Sequence, residues 1–184
     1  AHCGYFSFAA ASLGARKVIA FEPMLENYRM LIKNMRDVNF SQFEGYPFGV
    51  FTSTCSMKLD VPSYQNSHYD WANIELNGNS QKKCIAQFLT LDEILTTVVL
   101  ENVDILKISI GYAESEILRA SNELSRVENI CGEVSIGKEA IEPFVAILNN
   151  KGYTDVLTFQ VPENETRTLF LASRTECAKA FHTT

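Results

Sequence analysis

Glu22 and Gly4 are the residues in this 184-residue chain whose types and spacing could do chemistry together. Glu22 closes a short apolar run, Val18-Ile19-Ala20-Phe21, and precedes Pro23. Val, Ile and Phe suit a buried strand. A carboxylate at the C-terminal tip of such a strand lies where open α/β sheets bind ligands. Gly4 sits eighteen positions upstream. In dinucleotide-type folds an acid about 20 residues past a glycine turn bonds ribose hydroxyls. Glu22 therefore reads as a ribose-binding carboxylate. The plainer alternative is an exposed acid near a helix N-terminus, favoured by the dipole. Gly4 would let the backbone come close to a ligand.

Other reactive side chains are more ambiguous. His2 could serve as a base or be a tolerated loop residue. Cys3, beside a helix start, could be a reactive thiol or lie buried under the loop. Lys107 sits inside an apolar strand and could face a crevice or the surface. Ser109 has no histidine placed by sequence to activate it. Glu114 reads as a catalytic acid or as a first-turn acid, and Asp92 as a first-turn acid. His68, Tyr69 and Trp71 could line an acceptor pocket or simply pack. The cysteines Cys3, Cys55, Cys84, Cys131 and Cys177 form no CxxC pair and no zinc spacing. No metal site is expected. The dispersed odd set suggests free thiols and a reducing, cytoplasmic setting, with one disulfide left open.

These groups need a scaffold. Tyr5–Leu13 is Ala-rich and apolar and ends at Gly14, giving a short helix. The Val18–Phe21 strand follows. Pro23 suits the first turn of the next helix, 24–36, which carries Met24, Tyr28, Leu31, Ile32 and Met35 on one face. Residues 40–89 are punctuated by Pro47, Pro62 and Asn77-Gly78. They predict an antiparallel β insertion with strands near 47–52, 54–60, 71–76 and 83–88, the last two joined at Asn77-Gly78. Thr90-Leu91-Asp92-Glu93 is a capping box that opens a helix to about Val99. Then come strand 103–110, helix 112–121, strand 129–136, helix 139–150, and a hairpin of 154–161 and 166–173. This alternation predicts an α/β, mostly parallel sheet with a terminal antiparallel hairpin and a small β insertion. One domain is expected over 1–173, with a polar tail at 174–184. A glycine turn that opens a helix should follow a strand, so the first strand is expected to precede Ala1, in a longer protein.

A formal net charge of −6 and a pI near 5.1 argue against nucleic acid as a partner. No apolar run approaches the roughly 18–20 residues of a membrane helix. The sequon Asn164-Glu165-Thr166 matters only in a secreted protein.

Taken in order, several blocks resemble the FkbM-type methyltransferases. These are Ala1-His2-Cys3-Gly4-Tyr5-Phe6-Ser7, Val18–Pro23, Glu26-Asn27-Tyr28 with Leu31 and Asn34, Leu89–Leu95 and Val103–Glu114. The resemblance covers most of the chain. It implies a class I, Rossmann-like fold, S-adenosylmethionine as cofactor, and O-methylation of a small-molecule or sugar hydroxyl, with a small molecule or glycan as partner. By the same resemblance, Ala1, His2, Gly4, Tyr5 and Phe6 belong to the cofactor loop and Glu22-Pro23 to the ribose site. Phe48 and Gly49 would border the adenine, and Lys107, Ser109 and Glu114 the transferred methyl. The chain departs from the family pattern in four places. His2 stands for an Asn, Ser109 for an Asp, Gly111 for a Glu and Tyr112 for a Gly. Loss of two acids makes a catalytically inactive binding domain the alternative. A nicotinamide oxidoreductase is weaker, because the second and third loop glycines are lacking.

Overall fold

The structure is a computed structural model and describes residues 1–60, 83–98, 102–111, 113–161 and 164–175. The expected strand 71–76 with its Asn77-Gly78 turn, the side chains of His68, Tyr69 and Trp71, Tyr112, Cys177 and the tail from 176 lie outside these residues. The chain forms two units, Ala1–Leu89 and Thr90–Thr184.

In the first unit, helix α1 (Tyr5–Ser12) leads to strand β1 (Val18–Phe21) and helix α2 (Leu25–Asp37). The apolar stripe of α2 behaves as its spacing requires. Leu31 and Met35 are buried with Ala20, and Ala11, Tyr28, Phe40 and Phe43 close around them. Strand β2 (Phe43–Tyr46) was not legible in the sequence. Its Phe-Glu-Gly-Tyr pattern, with Pro47 next, reads as a turn. It nevertheless pairs parallel to β1, with Val18 opposite Phe43 and Phe21 opposite Tyr46. Gly45 fits because a Cβ there would meet Ile32 Cδ1 at 2.7 Å. The stretch after α2 is thus not wholly an antiparallel insertion. The antiparallel part comes later. Strand β3 (Phe48–Phe51) joins β4 (Cys55–Asp60) and β5 (Lys83–Thr90) in the order β3-β5-β4. One face of β4 and β5 places Leu59, Ala86 and Phe88 against Met24.

In the second unit, Thr90 opens α3 (Leu91–Glu93) with the expected capping box. Thr90 Oγ1 accepts from Glu93 N at 3.1 Å, and Glu93 Oε2 accepts from Thr90 N at 2.9 Å. The helix widens into a π-turn, Ile94–Val98, where Thr96 and Thr97 hydroxyls donate to main-chain carbonyls of the preceding turn. Strands β6 (Val103–Ile108), β7 (Val127–Val134), β8 (Asp155–Val161) and β9 (Asn164–Ser173) form a sheet in the order β6-β7-β9-β8. β6 and β7 are parallel, and β9 lies antiparallel between β7 and β8. The strand after β6 starts at Val127, because pairing opposes Val127 to Val103. Helices α4 (Glu114–Ala120) and α5 (Ile141–Asn150) bring Ile117, Leu118, Phe144 and Leu148 into a core with Ile130, Phe170 and Ala172. Phe144 meets Phe170 edge-on at 4.9 Å.

Two polar clasps hold the loops of this unit. Buried Tyr153 donates its hydroxyl to Val127 O at 2.9 Å, and Arg174 lies over its ring while donating to the carbonyls of Val127, Leu124 and Lys151. Asp92 accepts from Ser121 Oγ at 2.5 Å and from the main-chain nitrogens of Asn122 and Glu123 at 3.0 and 3.2 Å. Partial burial pushes the Asp92 carboxyl up, but the bonds from Ser121, Asn122 and Glu123 outweigh it and hold the group below its ordinary value. A depressed folded pKa stabilises above the unfolded value near 3.9, and the gain is lost as pH falls through the folded value. Asp92→Ala should therefore cost about 1–3 kcal/mol at pH 7 in denaturant unfolding. The gap between variant and parent should close as the pH is lowered through and below about 4. A gap that is constant with pH would contradict this role.

Candidate functional site

Glu22 ends β1, and its main-chain nitrogen donates to Tyr46 O at 3.1 Å, extending the parallel pairing by one bond. Phe21 and Tyr46 stack beside it at 5.5 Å. The Glu22 side chain is buried, and a buried carboxylate must find donors. Oε2 accepts from His2 N at 2.6 Å and pairs with the terminal ammonium of Ala1 at 3.0 Å. Oε1 accepts from Met24 N at 3.0 Å and, more weakly, from Asn27 Nδ2 at 3.5 Å. The carboxylate thus ties the loop before α1 to the turn before α2. Pro23, between Glu22 and Met24, has no N–H to offer, so Met24 supplies the donor.

The loop is tight. His2 and Gly4 both take positive φ, 55° and 98°, and Gly4 N donates to Ala1 O at 3.2 Å. Glycine is required at position 4 twice over. Its φ is left-handed, and a Cβ there would lie 2.7 Å from Leu31 Cδ1. His2 Nδ1 lies 3.2 Å from Cys3 Sγ. Tyr5 and Phe6 open α1 as exposed rings packed edge to face at 5.4 Å. Ala1, His2, Gly4, Glu22 and Pro23 are therefore gathered in one place. Phe48 and Gly49 instead begin β3. The space a side chain would fill at Gly49 is taken by the ring of Phe88.

Lys107, Ser109 and Glu114 lie in the second unit, around the turn that leaves β6. Glu114 is buried, and its Oε1 accepts from Ile110 N and Gly111 N at 2.6 and 2.7 Å. This bonding, with Gly111 at φ 74°, ends the strand at Ile108 rather than at Ile110. Lys107 is half-buried opposite Cys131. Burial lowers its pKa, against the opposing pull of Cys131, Glu133 and Glu114. Burial likewise raises that of Cys131. Cys3, Cys55, Cys84 and Cys131 are free thiols. Among the described residues no three or more His, Cys, Asp or Glu side chains form a metal-binding group, and no helix is long and apolar enough to cross a membrane.

Asn27 and Asn34 are site residues that chemistry-based reading passed over. Asn34 Nδ2 donates to Cys3 O at 2.8 Å. The available signal was their spacing, which puts both on the helix face that carries Leu31.

A glycine loop, a parallel β1–β2 pair with an acid at its tip, and a last strand inserted antiparallel beside β7 are the parts of a Rossmann-like methyltransferase fold, and solved structures agree. The chain resembles the METTL16 MTase domain with a TM-score of 0.56 at 13% identity, over 95% of this chain and 57% of that one. It resembles an rRNA methylase from Streptococcus thermophilus with a TM-score of 0.56 at 12% identity, over 95% and 82% of the two chains. The N-terminal domain of human METTL16 in complex with SAH gives 0.50 at 12% identity, over 95% and 59%. The chain thus spans under two thirds of the length of these two METTL16 structures. No protein-family model and no curated protein matches its sequence. The chain has the α/β fold of these methyltransferases.

Nucleic acid was excluded as a partner on net charge, yet an rRNA methylase shares this fold over nearly the whole chain. Net charge sums the entire chain, whereas contact needs only a local basic face. On α2, Arg29 and Arg36 are exposed, while exposed Lys33 is ion-paired with Asp37 at 2.6 Å.

Glu22→Gln should weaken the loop, because an amide presents its NH₂ to at least one of the main-chain donors. We expect a loss of about 1–3 kcal/mol in denaturant unfolding. Unchanged stability would show that Glu22 does not clamp the loop.

Proposed function

We propose that this chain carries the S-adenosylmethionine site of a methyltransferase at the Gly4 loop and Glu22, and that the acceptor is a sugar hydroxyl, the ribose of a nucleic acid included. The observation that carries the proposal is the buried Glu22 carboxylate at the tip of β1, set against the main-chain nitrogens of a glycine loop. The SAH complex of a protein with this fold supports the cofactor. The FkbM-type resemblance supports oxygen as the methyl acceptor, and the rRNA methylase likeness supports including RNA.

Bound there, the cofactor would supply a sulfonium methyl for in-line displacement. The protein's part is mainly positioning. Glu22 would accept from the ribose hydroxyls, and Gly4 would let the loop backbone approach. By the FkbM-type resemblance Lys107 would border the transferred methyl, and burial lowers its pKa, the direction a base needs. Glu114 would act as a positioning residue, since its Oε1 is engaged by two amides, and Ser109 would contact the acceptor.

A second reading has its own support. Glu22 already accepts from His2 N, Met24 N and Asn27 Nδ2, and Ser109 and Gly111 bring no acid to the β6 turn. A domain that binds a partner without catalysis would show the same features.

Calorimetry separates the two. S-adenosylmethionine and an analogue lacking the ribose 2′ and 3′ hydroxyls are titrated into the parent protein and Glu22→Gln. Losing the hydroxyls should cost the parent at least about tenfold in affinity and the variant much less. Equal losses in both proteins would remove the ribose assignment, and no binding by the parent would favour the second reading. Methyl transfer assayed on a structured RNA and on a free glycoside then identifies the acceptor.

A further inference from the structure

We infer that Asn34 is a positioning residue that sets the shape of the cofactor loop from helix α2, an inference that rests on the proposed cofactor site. Three α2 residues, at i, i+4 and i+7, face the loop and the acid. Asn27 Nδ2 reaches Glu22 Oε1 at 3.5 Å. Leu31 Cδ1 fills the space above Gly4, with no room for a side chain. Asn34 Nδ2 donates to Cys3 O at 2.8 Å. The orientation of this amide is fixed by chemistry, since a carbonyl only accepts.

The geometry makes Asn34 the residue with leverage. Cys3 lies between the two positive-φ residues, His2 and Gly4. Its peptide group joins Cys3 to Gly4, and the His2 N–H two bonds back is the donor that reaches Glu22 at 2.6 Å. Holding the Cys3 carbonyl fixes the plane of that peptide, and so the direction in which the loop presents its amides. Residues in such backbone regions persist only where the surroundings over-determine them. Glu22 holds the loop from one side and Asn34 from the other. Asn34 is exposed on the helix surface, so its amide contributes little to the core. Its effect should fall on ligand affinity more than on fold stability.

The test uses Asn34→Asp and Asn34→Ala. Asp keeps the shape but places a carboxylate oxygen against the Cys3 carbonyl. Ala is the best helix former, so α2 itself is not weakened. Hydrogen exchange of the amides in residues 1–8 is measured without ligand, together with thermal unfolding and calorimetry with S-adenosylmethionine. We expect faster exchange in residues 1–8 for both variants, a melting temperature within a few degrees of the parent, and affinity lowered about five- to tenfold. Unchanged exchange in residues 1–8 would overturn the inference, as would loosened exchange with unchanged affinity. A parent that binds no S-adenosylmethionine, with loop exchange still faster in the variants, would remove the cofactor reading and leave the loop-setting role of Asn34 standing.

Discussion

The Glu22 carboxylate is the constraint on which the first unit depends. A charge taken out of water must be met by donors, and here the donors come from two chain segments far apart in sequence. The loop before α1 and the turn before α2 are drawn to one point at the tip of β1. Gly4, with its left-handed φ and its contact against Leu31, is what allows the loop to arrive there. A ribose placed at this point would meet a carboxylate already held in place, at the cost of competing with main-chain donors for its lone pairs.

The same device recurs in the second unit. Glu114 gathers the amides of Ile110 and Gly111 at the end of β6. Asp92 gathers Ser121, Asn122 and Glu123 after α4. In each case an acid in or next to the first turn of a helix reaches main-chain nitrogens of a neighbouring turn. A carboxylate offers several acceptor positions, so one side chain can fix a whole bend. This explains why Glu114 is buried although a first-turn acid is ordinarily solvated.

Much of this was legible in the residues. The strand Val18–Phe21, the α2 stripe and the capping box at Thr90 all follow from local periodicity and side-chain chemistry, which act over a few residues. What escaped was non-local. Strand β2 is made by pairing with β1 rather than by its own pattern, so Gly45 and Pro47 disguised it. The burial of Glu114 and the links from Asn27 and Asn34 depend on where helices settle. The charge argument failed for a different reason: a formal charge of −6 sums the whole chain and describes no single face, so it does not exclude nucleic acid.

The most direct measurement is an amide-resolved NMR titration of the protein with S-adenosylhomocysteine. The largest shift changes are expected at the amides of His2 and Met24, which donate to the Glu22 carboxylate, and of Gly4 in the same loop as His2. Saturating ligand that leaves those three amides unmoved, or that moves only amides elsewhere, would contradict it.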